Sequence, residues 1–265
     1  MSVDRDDDRD GRLSITDTRG ARETNGIIPD RQIPPDRPPG ADPGARADWP
    51  AGADSQTRAD RSADYQARVD AAYRAHAIDQ GCARVRETEQ TTVTPALCHI
   101  ESQDPTRHLA GLEFRLKDTD RLTEKVTGWM AADASLTPSD AFGQLKDAIR
   151  YTFAYSDDNY TNGVRADVDR LKTAGFEPID LRNSWANDEY RGINSWWRAP
   201  DKGQVFEVQF HTQASFEAKQ ATHAAYEKIR DPATSQSERE EMQDFQRRVT
   251  AGIPVPRDAG SISIR

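Results

Sequence analysis

An acidic side chain, Glu207, stands in the middle of a β-prone run, Gln-Val-Phe-Glu-Val-Gln-Phe-His-Thr over residues 204–212. Period-two alternation sends Phe206, Val208 and Phe210 to one face and Glu207, Gln209 and His211 to the other. A carboxylate on a strand face is costly unless it is solvated, paired or bound to a metal. A half-exposed strand with a polar outer face would satisfy the first condition. A second acid, Asp147, opens another strand-like run over residues 146–153. It shares parity with the apolar Ile149, Tyr151 and Phe153, so it must lie at the strand's edge, where alternation no longer fixes direction. These two acids are the metal-ligand candidates. They lie on different strands, so only the fold can bring them together.

Cations precede them in the chain. Arg115 and Lys117 are two apart in a strand-like stretch, and Arg121 and Lys125 are four apart on one helical face. Such a set suits phosphate; the alternative is a solvated basic face. Downstream, Lys219, His223 and Tyr226 share one face of a helix, while Ala218, Ala221, Ala225 and Ile229 form another that should pack on a sheet.

The elements that must position these groups are legible in outline. One amphipathic helix is predicted over 64–89, a break near Pro95, and a short helix to about residue 102. Residues 112–117 alternate apolar and charged side chains, a strand pattern. Asp118 or Thr119 can cap a helix over 120–132, and Thr137-Pro138 opens another that ends near residue 145. A strand over 147–155, a helix over 160–174 stopped by Gly175, and a short strand over 176–181 follow. Strands over 193–198 and 204–211 form a hairpin, then helices cover 213–229 and 235–249. The tail from Gly252 carries two prolines and is expected to be loose.

Hydrophobic residues make up 35% of the 265, low for a chain that folds throughout. The deficit is concentrated in residues 1–63, rich in Asp, Arg, Pro and Gly, which cannot bury enough apolar area to offset the entropy of ordering. No segment reads as a signal peptide or a membrane span, so a cytoplasmic protein, or one exported by a non-classical route, is expected. The net charge of −9 argues against broad nucleic-acid binding. Cys82 and Cys98 fit no zinc spacing; two reduced thiols are expected, with a disulfide as the alternative.

Over residues 108–230 the order of these motifs resembles the synthetase domain of the RelA/SpoT family, which makes the (p)ppGpp alarmones. The match lies in an acid opening a strand, Glu-Val-Gln-Phe-His-Thr at 207–212, and the His223-Ala-Ala-Tyr226-Glu-Lys228 helix end. The resemblance implies an α+β fold, a mixed β-sheet flanked by helices with a nucleotidyltransferase-like core. With the composition and periodicity above, it divides the chain into a disordered leader (1–63), a helical extension (64–107), the synthetase domain (108–251) and a flexible tail (252–265). It implies pyrophosphate transfer from ATP to the 3′-hydroxyl of a purine nucleotide. Asp147 and Glu207 would bind Mg2+, with Glu207 also helping the hydroxyl lose its proton. Arg115, Lys117, Arg121 and Lys125 would hold the ATP phosphates. Tyr190 matches a tyrosine that stacks on the acceptor base, and Asn194 occupies the place of a histidine. Gln209, His211, Lys219 and His223 would meet acceptor or phosphate.

Three residues depart from the family pattern. Arg150 stands where it has a small residue, Thr152 where it has an arginine, and His211 where the terminal motif has an arginine. No His-Asp pair of a hydrolase domain lies upstream. Toxic relatives that modify the tRNA 3′ end, with a cognate antitoxin or immunity protein, keep tRNA open as an acceptor. A nucleotide-binding module without catalysis is the remaining alternative.

Overall fold

A computed structural model describes residues 55–200 and 203–264, with side chains from Asp60 onward. Most of the expected disordered leader lies outside the described residues. Its last part does not behave as expected: helix α1 (Ser55–Thr88) begins at Ser55 and runs 34 residues. A π-helical turn (Glu89–Val93) joins it to α2 (Thr94–Ser102) with right-handed backbone throughout, so the expected break near Pro95 takes the form of a π-turn just before the proline and the chain stays helical.

Five strands follow: β1 (Arg107–Ala110), β2 (Arg150–Tyr155), β3 (Glu177–Asn183), β4 (Ile193–Arg198) and β5 (Val205–Thr212). They form one mixed sheet in the order β1-β2-β5-β4-β3. Only β2 and β5 run parallel; every other pair is antiparallel. The helices α3 (Thr119–Ala132), α4 (Pro138–Gln144), α5 (Tyr160–Thr173), α6 (Gln213–Arg230) and α7 (Gln236–Ala251) flank it. This is the α+β class with a mixed sheet that the sequence implied.

Local chemistry explains the boundaries. Asp118 caps α3 by accepting from the Asp120 amide, Thr137 caps α4, and Gly175 ends α5 with a left-handed φ of 87°. Thr212 with Ser215, and Ser235 with Glu238, close reciprocal capping boxes on α6 and α7.

The alternation expected for β5 holds, but the strand is not half-exposed. All eight of its residues are buried, because it is the central strand with β2 on one side and β4 on the other. Phe206, Val208 and Phe210 share the core face with their register partners Tyr151 and Phe153 of β2 and Ile193, Ser195 and Trp197 of β4. Tyr160 donates to the Phe210 carbonyl at 2.8 Å, fixing α5 on that face.

Two elements differ from the sequence reading. Residues 112–117 are not a strand: Gly111, at φ 64°, turns the chain into a short 3-10 turn (Leu112–Phe114), and only Leu116 pairs, with Ile149. The edge of β2 is already taken by β1, a strand whose Arg-His-Leu-Ala sequence carries no alternating apolar signal. The tail is not loose either. Ile253, Ala259 and Ile262 are buried in the main core, and Asn183 donates to the Ala259 and Ile262 carbonyls at 2.8 and 3.2 Å. Deleting residues 252–265 should therefore lower unfolding stability by at least about 2 kcal/mol, the scale of one buried isoleucine. Urea denaturation checks this, and an unchanged midpoint would mean that the tail packs without contributing.

Cys82 is buried and Cys98 exposed, and both are free thiols, as expected. Among the described residues, no helix is long and apolar enough to cross a membrane.

Candidate active site

The opposite face of the sheet carries a row of polar and charged side chains. Register pairing puts Arg150, Thr152 and Ala154 of β2 beside Glu207, Gln209 and His211 of β5, with Trp196 and Asn194 of β4 on the other flank. Cross-strand partners project to the same face, so backbone pairing alone assembles this polar row.

Asp147 lies in the approach to β2, outside the strand, as its parity required. Lys117 donates to its Oδ2 at 2.5 Å and Lys125 to its Oδ1 at 3.2 Å. Lys117 is delivered by backbone pairing, its amide donating to the Ala148 carbonyl at 2.9 Å, and Lys125 by α3. Burial pushes the Asp147 carboxyl up, but the hydrogen bond from Lys117 and the charges of both lysines outweigh it and hold the group at about 2. A folded-state value below the ordinary 3.8 means stability that is present above pH 4 and lost as the pH falls toward 2. Wild type should therefore exceed Asp147→Asn by about 2 kcal/mol at pH 5, and the gap should close by pH 2. Denaturant titrations across that window check it; a gap that does not change with pH would contradict the pairing.

Glu207 is almost wholly buried. Arg150 Nε donates to its Oε2 at 2.7 Å and Gln209 Nε2 to its Oε1 at 2.8 Å. Gln209 in turn accepts from Lys219 Nζ at 2.5 Å and from the Thr152 hydroxyl at 3.3 Å. Lys219 reaches in from α6; burial and the nearby Arg150 charge lower it to about 8, with Glu207 opposing, so it is still charged at pH 7. For Arg150, burial alone would favour loss of its charge, but Glu207 and, less strongly, Asp147 hold its pKa above the ordinary value. Its guanidinium thus senses both carboxylates.

A second network lies along the row. The Tyr190 hydroxyl donates to Asn194 Oδ1 at 2.7 Å and meets His211 Nε2 at 2.9 Å, while His211 Nδ1 meets the Ser215 hydroxyl at 2.9 Å. Burial and the Lys219 charge lower the His211 pKa to about 3, so the ring is neutral, with one donor and one acceptor nitrogen between two hydroxyls. The contact is close: a Cβ on Gly192 would lie 2.6 Å from His211 Cε1. Tyr190 meets the His211 ring edge-on, with centroids 5.4 Å apart.

Of the expected site residues, Asp147, Glu207, Lys117, Lys125, Tyr190, Asn194, Gln209, His211 and Lys219 fall in this region. Arg115 does not join Lys117. The intended strand is a turn, and the Arg115 Nε instead donates to Glu89 at 2.8 Å. Glu89 is buried and also accepts from Thr94 at 2.5 Å and Tyr151 at 3.1 Å. Arg121 is exposed on α3 and His223 is exposed on α6. Lys219 alone of the Lys219, His223 and Tyr226 trio points inward; of the expected alanine face Ala225 is buried and Ala218 packs against the core, Ile229 is half-buried and Ala221 is exposed, while Ser215 and Thr222 share the buried side. Arg150 was not among the expected site residues. Its parity with Thr152, opposite the apolar 149, 151 and 153, is the signal that finds it.

Four cations (Lys117, Lys125, Arg150 and Lys219) thus serve two carboxylates, Asp147 and Glu207, an excess of two positive charges on a chain whose net charge is −9. The described residues contain no group of three or more His, Cys, Asp or Glu side chains able to hold a metal. Asp147 and Glu207 are the two carboxylates here, fewer oxygen ligands than an ion caged by protein alone takes.

Comparison with solved structures finds several similar chains. A GTP pyrophosphokinase family protein from Streptococcus pneumoniae is 16% identical, with a TM-score of 0.45 over 63% of this chain and 83% of that one. Small alarmone synthetase 1 from Bacillus subtilis is 14% identical, TM-score 0.45, over 65% and 90%. The chain is similar to small alarmone synthetases. Small alarmone synthetase 2 of the same organism is 12% identical, TM-score 0.45, over 65% and 94%. No protein-family model and no curated protein matches the sequence.

Proposed function

We propose that this chain is an ATP-dependent pyrophosphokinase that acts on the 3′-hydroxyl of a purine nucleotide. The observation that carries the reading is the excess of cations around two carboxylates, one on β5 and one in the approach to β2, whose charges Arg150 feels together, in an acidic protein. Lysines and an arginine at that density suit a polyphosphate, and the two acids suit the Mg2+ that accompanies one.

In this reading Asp147 and Glu207 hold the ion, which supplies neutralisation of the triphosphate. Lys117 and Lys125 grip the donor phosphates from the Asp147 side. Lys219 and Arg150 bind the transferred group from the Glu207 side, where positive charge stabilises what accumulates in transfer. Glu207 takes the proton of the attacking hydroxyl. The proposed bond changes balance: the acceptor oxygen bonds the β-phosphorus of ATP, the α–β bridge breaks, and AMP leaves. Tyr190, oriented by two hydrogen bonds, offers its ring to the acceptor base, and His211 and Asn194 keep that ring in place.

Incubating the protein with γ-labelled ATP and GDP, GTP, AMP, ADP, ATP or uncharged tRNA tests the proposal. Label should move to one of the mononucleotides, in a Mg2+-dependent way. Label on tRNA alone would replace the acceptor, and label on none would reject the reading.

A further inference from the structure

Glu207 and Arg150 form an unequal pair. They are cross-strand register partners on parallel β2 and β5, anchored by the Glu207 amide donating to the Ile149 carbonyl at 2.9 Å. The glutamate side chain is 4% exposed and the arginine side chain 38%. A cation arriving from solvent therefore meets the arginine first. Both carboxylate oxygens are already engaged, Oε2 by Arg150 and Oε1 by Gln209. Gln209 is itself pinned by Thr152 and Lys219. The Arg150 guanidinium, by contrast, is held by no hydrogen bond other than the one from its Nε, among the described residues. It is the donor that can leave.

We propose that Arg150 is a removable counter-ion: it caps Glu207 when no ligand is bound, and yields that carboxylate to a divalent cation while turning its guanidinium to the polyphosphate the cation accompanies. This rests on the polyphosphate reading above. Exchange of this kind keeps the buried carboxylate paired at every stage, which matters because an unpaired buried charge is strongly destabilising. It also converts one ion pair into two, since the freed guanidinium can make forked, charge-assisted bonds to phosphate. Lys219 helps drive the exchange. With Arg150 it places two cations beside one carboxylate, an arrangement that gains from an added anion.

The test uses the full chain, without acceptor and without turnover. Calorimetry first titrates Mg2+ alone, then a non-hydrolysable ATP analogue in saturating Mg2+. Arg150→Ala should bind Mg2+ alone at least about tenfold more tightly than wild type, since one competing charge is gone, and the Mg2+-loaded analogue at least about tenfold more weakly. Should the alanine variant fail to fold, Arg150→Gln carries the test, because its amide can still donate to Glu207 without competing as a charge. Adding Glu207→Gln to either variant should abolish the gain in Mg2+ affinity. An Arg150 variant that binds Mg2+ no more tightly than wild type overturns the proposal. Unchanged analogue affinity, or a gain that survives Glu207→Gln, does the same. A chain that shows the exchange yet labels no acceptor would sink the pyrophosphokinase reading alone. A chain that labels an acceptor without the exchange would sink only this proposal.

Discussion

Glu207→Gln should reduce pyrophosphate transfer at least about a hundredfold, the lower range for losing a general base, while the protein still unfolds cooperatively. The substitution keeps size and shape. Its amide oxygen can still accept from Gln209, and the Arg150 left without a counter-charge is exposed enough to be solvated. An amide is also easier to bury than a carboxylate. Activity and thermal unfolding measured on the same preparation separate the two effects. A variant that turns over normally would reduce Glu207 to a structural partner of Arg150. A variant that is inactive because it is unfolded would leave the carboxylate a purely architectural role.

The largest stability effect is expected far from that face. Asp167 of α5 is fully buried and forms an ion pair with the equally buried Arg107 of β1. Its oxygens also accept from Arg107 Nη2 at 2.7 Å, the Tyr155 hydroxyl at 2.7 Å and Arg170 at 2.6 Å. Arg107 donates onward to the carbonyls of Ile100, Glu101 and Asp104, so the pair ties the end of α2 to the sheet. Asp167→Ala leaves the guanidinium buried without its partner and should cost about 3–5 kcal/mol in denaturant unfolding. Replacing both residues with apolar side chains of similar volume should recover much of that loss. A single-variant cost below about 1 kcal/mol would mean that water or a rearranged Arg107 makes good the missing charge.

The sequence already made the chemistry of this protein partly visible. Alternation in 204–212 separated Glu207, Gln209 and His211 from the phenylalanines, and the parity of Asp147 placed it outside its strand; both hold in the fold. Burial was not visible, because alternation reports which face a side chain takes and not what covers that face. Whether β5 is an edge or a centre depends on partners far away in sequence. The same limit explains residues 112–117, where a good strand pattern had no free edge to join and the chain turned at Gly111 instead. It explains β1, whose four residues are a strand only because β2 offers them an edge. Two prolines suggest a loose tail, whereas its spaced isoleucines pack into the core. Arg150 was seen only as a departure from a family pattern. Its pairing with Glu207 follows from the strand register, information that no single strand contains.

The central claim is that the bond broken in ATP is the one between the α- and β-phosphates. The most direct measurement is the fate of α-labelled ATP incubated with the protein, Mg2+ and the preferred acceptor nucleotide. Pyrophosphate transfer predicts labelled AMP in one-to-one ratio with an acceptor that has gained two phosphates. Labelled ADP with an acceptor gaining one phosphate, or labelled ATP left intact with every acceptor, would contradict it.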